Sequence, residues 1–109
     1  MWHLAEYSTF SISDEVGKYR LTVAGYSGDA GDAMSEAYYS TWNANGQKFS
    51  TPDSDNDGCT SCSCAIDRSH GWWFNRCTTS SLNYVDGGSI WTTDTSVYDV
   101  QASRMLVKL

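Results

Sequence analysis

Positive charge is scarce in this chain. Seven Lys and Arg stand against thirteen Asp and Glu, a formal net charge of −6 over 109 residues. Nucleic acid and anionic membrane surfaces both require a basic face, so the balance argues against either partner. The same balance keeps a small domain soluble and is compatible with cation binding. No hydrophobic run approaches the length of a membrane span, so membrane insertion is not expected. No charged and apolar leader precedes Trp2, and a secretion signal is expected to be absent or removed. The absence of any Asn-x-Ser/Thr sequon excludes N-glycosylation. There is no G-x-S-x-G setting for the many serines and no phosphate-loop pattern in residues 24–33. His3 and His70 are isolated, His70 reads as a loop residue, and no nucleophile is paired with a base, so an enzyme is not expected.

Leu and Lys are also few, whereas Ser, Thr, Gly, Asp and Asn abound. That composition implies a loop-rich fold of short strands. The length implies one domain, residues 1–109, with a modest core. Phe10 and Ile12 alternate with Thr9, Ser11 and Ser13, and Tyr19, Leu21 and Val23 alternate with Lys18, Arg20 and Thr22. Both stretches predict strands, separated by a turn at Asp14–Gly17. Residues 25–31 read as a loop. Asp32 can cap a short helix through about Tyr39, where Ala33, Met34, Ala37 and Tyr38 have helical spacing. Ile90–Trp91 and Val97–Val100 are short strand candidates, and alternation at Met105, Val107 and Leu109 predicts a final strand.

The chemistry is concentrated in residues 46–77, which hold all four cysteines, Trp72–Trp73 and Asp53, Asp55 and Asp57 ahead of Gly58. Alternating carboxylates around a glycine turn suit Ca²⁺, a hard cation that takes six to eight oxygen ligands. The run also opens an EF-hand, but the closing glutamate position is Cys64 and no long amphipathic helices flank the loop. A solvated acidic turn is the plainer alternative. Four cysteines in a small acidic domain suggest disulfides and an oxidising compartment, with three pairings open. Cys59-x-x-Cys62, near Cys64, Cys77 and His70, has zinc-ligand spacing as the competing reading, although a second C-x-x-C is missing. Adjacent Trp72 and Trp73 on an extended chain would point to opposite sides, one into the core and the other toward a surface.

Several motifs in one order carry a resemblance. Lys48-Phe49-Ser50-Thr51 leads into the aspartates, followed by Cys64-Ala65, Gly71-Trp72-Trp73-Phe74-Asn75-Arg76-Cys77 and Ser80-Ser81-Leu82-Asn83. Upstream stand Ala5-Glu6-Tyr7 through Phe10, Asp14-Glu15, Lys18-Tyr19-Arg20-Leu21 and Ala30-Gly31-Asp32-Ala33. Together they resemble the fibrinogen C-terminal domain, in a shortened form that matches the C-terminal half of the family's domain. The resemblance implies the family's α+β fold, with short antiparallel strands, a short helix and long ordered loops, and a Cys64–Cys77 disulfide. It also implies a Ca²⁺ site with side-chain ligands at Asp55 and Asp57 and backbone ligands at Cys59 and at Ser61 or Cys62, with Asp53 orienting a water. Two extra cysteines inside this loop are similar to angiopoietin-type members, and their proximity suggests a Cys59–Cys62 bond. In lectins of the family a pocket beside the second cysteine takes an acetyl group or a peptide amino terminus. The matching positions are Arg76, Cys77 and Thr78, with Tyr84 and Trp91 as walls. The resemblance therefore implies a secreted lectin-like module for acetylated or sialylated glycans, or alternatively a structural or signalling module for protein partners with calcium purely architectural. The family's front part has no counterpart here. Uncovered strand edges and aromatics such as Trp2, Tyr7, Tyr38, Tyr39 and Trp42 then imply a two-fold dimer through the first strand and residues 33–42.

Overall fold

The fold follows from a computed structural model that describes residues 2–35, 40–83, 90–92, 97–100 and 102–108, with only the backbone at 97–99. It is α+β. Two antiparallel strands, β1 (Ala5–Ile12) and β2 (Leu21–Gly28), form a hairpin in which Ile12 faces Leu21 and Ala5 faces Gly28. A 3₁₀ turn, Ser40–Trp42, precedes the aspartate loop, and one short helix, α1 (Cys64–Arg68), follows it. A second sheet runs β3 (Ser80–Ser81), β4 (Ile90–Thr92) and β5 (Val97–Asp99), all antiparallel.

The hairpin is longer than its alternation predicts at one end and shorter at the other. Lys18 and Tyr19 take left-handed conformations, with φ of 59° and 55°, so β2 begins only at Leu21. Their turn is closed by Asp14, whose side chain accepts from the Gly17 N–H at 3.0 Å and whose carbonyl accepts from Tyr19. β2 then runs on through the stretch read as a loop. Gly25 makes this possible: its φ is +71°, and a Cβ there would lie 1.8 Å from Ser8 Oγ.

The core is built on Leu21 and Val23 of β2, Ala33, Met34 and Ala44 of the connecting loops, Cys64 and Ala65 of α1, and Trp72, Trp73, Phe74 and Trp91. Both adjacent tryptophans are buried, at 1% and 8% exposure, which overturns the expectation that one faces outward. Each takes a different route inside. Trp72 forms a bridge with Ser50, exchanging N–H···O bonds of 3.0 and 3.2 Å. Trp73 donates its indole N–H to the Tyr19 carbonyl at 2.9 Å and meets the edges of Phe10 and Phe49.

Two predicted elements are corrected. Asp32 does cap, accepting from the N–H groups of Met34 and Ser35, but residues 33–35 form a turn rather than a helix, and 36–39 lie outside the described residues. Residues 102–108 form no strand and are exposed, because alternation without a neighbouring strand to pair with does not make a sheet. The helix forms instead at Cys64, where Ser63 caps the Ile66 N–H.

His70 lies in the loop that follows α1, as read, and is buried there. The Arg68 carbonyl can only accept, so Nδ1 carries the proton and donates to it at 2.9 Å, leaving Nε2 to accept from Ser81 Oγ. Burial, with the nearby Arg68 charge, lowers the His70 pKa, partly opposed by the Arg68 carbonyl. A lowered native value contributes stability that is fully present above the unfolded imidazole value of about 6.5 and is lost as pH falls through the native value. Denaturation at a series of pH values should show that loss in the native sequence and a smaller one in His70→Gln.

Candidate functional site

The aspartate loop is organised by side chains that bond their own backbone. Asp55 Oδ1 accepts from the Asp57 N–H at 3.2 Å, and Asp57 Oδ1 from the Cys59 N–H at 2.9 Å. Short acidic side chains commonly hold turns in this way. Asp57 reaches further, because its Oδ2 accepts from the Cys64 N–H at 2.8 Å, the first residue of α1. Its carboxylate thereby joins the loop to the helix. Burial raises the Asp57 pKa, the Cys64 and Cys59 N–H groups oppose that, and the Asp55 carboxylate beside it raises it again. Two carboxylates held close in this way favour a bound cation.

Asp55 and Ser61 are exposed, and Cys59 and Cys62 are half-buried. Asp53 is engaged elsewhere: its side chain accepts from the Thr51 hydroxyl at 2.6 Å, which lowers its pKa. Among the described residues the only close group of three metal-binding side chains is Cys62, Cys64 and Cys77, whose sulfurs lie within 4.8 Å of one another. All belong to disulfides, Cys59–Cys62 and Cys64–Cys77, and no free cysteine remains. Zinc binding by thiolates is thereby set aside.

Two residues to which the sequence pattern gave no role, Asn56 and Asn75, hold this loop in place. Asn56 donates its amide to the Phe49 carbonyl at 3.0 Å, and its N–H goes to Ser50 Oγ at 2.9 Å. Asn75 donates to the carbonyls of Ser40 and Asn43, both at 3.2 Å, and its own carbonyl accepts from Gly58 at 2.8 Å. A Cβ on Gly58 would come within 2.6 Å of Asn75 Oδ1, so glycine is required there by close approach. Such bonds connect positions far apart in sequence and leave no periodic trace.

The second candidate region begins at the next residue. Arg76 is exposed, and its N–H donates to the Thr41 carbonyl at 2.8 Å. The Arg76–Cys77 peptide is cis. Among the described residues, no acceptor meets the N–H of Cys77 or of Thr78. Thr78 is buried, its hydroxyl donating to the Ser80 carbonyl at 2.7 Å. Trp91 pairs with Ser80 across β3 and β4, is 8% exposed, and donates its indole N–H to the Gly31 carbonyl at 2.8 Å. It offers little surface as a wall. Tyr84 lies outside the described residues. Away from this region, a cleft of about 450 Å³ opens beside β2, lined by Tyr26, Asp32, Ser35 and Asn45.

Residues 2–106 match the family model described as fibrinogen beta and gamma chains, C-terminal globular domain. The chain belongs to this family. Fibrinogen-like protein 1 of Rattus norvegicus is 40% identical over 103 residues, covering 82% of this chain and 32% of its own length. A techylectin-like protein of Phoneutria nigriventer is 43% identical over 89 residues, covering 76% of this chain and 37% of its own. Among solved structures, a lamprey fibrin D-dimer complexed with the peptide Gly-His-Arg-Pro-amide superimposes with a TM-score of 0.70 at 36% identity. That match covers 84% of this chain and 31% of the fibrin chain. The chain thus spans about a third of the length of the relatives it matches.

Asp57→Ala removes the acceptor of two backbone N–H groups. Leaving them unpaired should destabilise the calcium-free protein by about 1–3 kcal/mol in denaturant titration, before any metal is added.

Proposed function

We propose that this chain is a secreted, calcium-binding, lectin-like recognition module for acetylated or sialylated glycans, and not an enzyme. The observation that carries the reading is the pair of N–H groups at Cys77 and Thr78, which meet no acceptor among the described residues. Two adjacent amide donors beside an exposed arginine suit an acetyl carbonyl or a carboxylate. Family membership and the techylectin-like relative support it. Calcium would be held by the Asp55 and Asp57 carboxylates, with the carbonyls of Cys59 and of Ser61 or Cys62 completing the shell, and would brace the loop through the two N–H bonds that Asp57 accepts.

A second reading rests on a different observation. The burial of Thr78 and Trp91 leaves few walls for a sugar, and the lamprey fibrin structure has a peptide ligand. On that reading the same donors meet backbone carbonyls of a bound peptide, protein partners replace glycans, and calcium is architectural.

Glycan-array binding separates the two. The lectin reading expects capture of N-acetylated or sialylated glycans, displaced by free N-acetylglucosamine. Peptide binding without any glycan binding would favour the second. Calcium itself is tested by melting: saturation at about 100 Kd should add roughly 2.7 kcal/mol of stability, abolished in Asp57→Ala. A melting temperature indifferent to EDTA would remove calcium from the account.

Self-association belongs to the same proposal. Among the described residues β1 pairs only with β2, so its other edge carries no strand. Trp2 and Leu4 just ahead of β1 and Ile12 at its end are 69%, 54% and 49% exposed. Open edges with apolar surface recruit another chain. Sedimentation at micromolar concentration should give a dimer mass that dissociates on dilution; a monomer mass throughout would exclude it.

A further inference from the structure

The two disulfides are not independent of each other in space. Cys59 and Cys62, only three positions apart, close a small ring with the exposed Thr60 and Ser61 at its tip, and both cysteines are half-buried. Cys64 is fully buried and Cys77 half-buried. Yet the Cys62 sulfur lies within 4.8 Å of both sulfurs of the Cys64–Cys77 bond. Exchange needs only a thiolate with access to a disulfide sulfur, so a small displacement would bring a released Cys62 onto the inner bond.

We infer that Cys59–Cys62 is a thiol-addressable clasp, and that Cys62 relays attack on it to the Cys64–Cys77 disulfide. The co-reactant is a thiol. Its thiolate attacks Cys59 Sγ, the Cys59–Cys62 bond breaks, and the electron pair leaves on Cys62, with Cys59 now in a mixed disulfide. The Cys62 thiolate attacks Cys77 Sγ. A Cys62–Cys77 bond forms, the Cys64–Cys77 bond breaks, and the pair leaves on Cys64. The Cys64 thiolate then attacks Cys59, closing Cys59–Cys64 and releasing the original thiolate. Two disulfides are present before and after, so nothing is oxidised or reduced overall, and the thiol acts catalytically.

The consequence is local and definite. Cys64–Cys77 ties the first residue of α1 to the residue that follows Arg76. Asp57 accepts from the N–H groups of Cys59 and Cys64, the partners in the product bond. Exchange therefore releases the segment around Arg76, Cys77 and Thr78 from the helix while the aspartate loop is drawn toward it. This goes beyond the glycan and calcium readings and does not depend on either.

The probe is 2-mercaptoethanol, chosen uncharged because the chain's charge of −6 repels an anionic thiol. The folded protein is incubated with it, quenched in acid, alkylated and digested, and tandem mass spectrometry assigns each cysteine. Early time points should contain Cys59 as a mixed disulfide together with a Cys62–Cys77 cross-linked peptide. In Cys59→Ser the lone thiol should be found on both Cys62 and Cys64. In Cys62→Ser, opening of Cys64–Cys77 should be about tenfold slower than in the native sequence, because its internal attacker is gone. The inference is overturned if the native protein never yields a Cys62–Cys77 peptide, or if Cys64–Cys77 opens as fast without Cys62. The native-sequence arm decides the matter even if a variant fails to fold.

Discussion

Asn75 is the residue on which the site depends. Its amide donates to the Ser40 and Asn43 carbonyls, its carbonyl accepts from Gly58, and its N–H donates to the Cys77 carbonyl at 2.7 Å. Three stretches of the chain meet at this one residue, the 3₁₀ turn through its side chain, and the aspartate loop and the segment holding Arg76 to Thr78 through its backbone. Each bond alone contributes on the order of 1 kcal/mol, but an unmade one leaves a polar group stranded at a part-buried junction. That asymmetry makes the arrangement specific. It also explains why a short chain with few regular elements has an ordered loop system at all. Among the described residues only 29 fall in the five strands and α1, and side-chain bonds hold much of the remainder.

Around that junction the other interactions fall into place. Asp57 joins the loop to α1 through two accepted N–H bonds, and Cys64–Cys77 joins α1 to the segment after Arg76. The Ser50–Trp72 bridge aligns the approach to the loop with the tryptophan pair. Burying Trp72, Trp73 and Phe74 consecutively is possible because the backbone on either side is fixed by Ser50 and Asn75 rather than by a continuous sheet. Core and site are therefore one structure, and the apolar and polar contacts cannot be assigned to separate layers.

Much of this was legible in the sequence, for physical reasons. Alternation at Leu21 and Val23 marked the strand that faces the core, and the ordered motifs from Lys48 to Asn83 identified the family and implied the Cys64–Cys77 bond. What misled was local pattern without its context. Tyr19 fits the alternation but takes a left-handed conformation, because the turn closed by Asp14 needs it there. Met105 and Val107 alternate with no strand beside them among the described residues. The helix at Cys64 is five residues long, too short to display a period, and its cap at Ser63 lay in a stretch read for its cysteines. The roles of Asn56 and Asn75 were invisible, since a side chain that bonds a carbonyl more than thirty residues away, as Asn75 does, has no neighbourhood signature.

The β1–β2 hairpin has a mechanical consequence. Both of its free ends lie together, where Ala5 faces Gly28, and the closed end at Ile12 and Leu21 is the one tied to the core. There Leu21 exchanges backbone bonds with Gln47 and Gly46, and the Tyr19 carbonyl holds the Trp73 indole. Tension applied to the amino terminus thus loads one rung of the ladder at a time, in unzipping rather than shear. β1 would come away rung by rung once the bonds of Leu4 to Asp29 and Ala30 give way, while β2, clamped at its far end, would stay with the body of the protein.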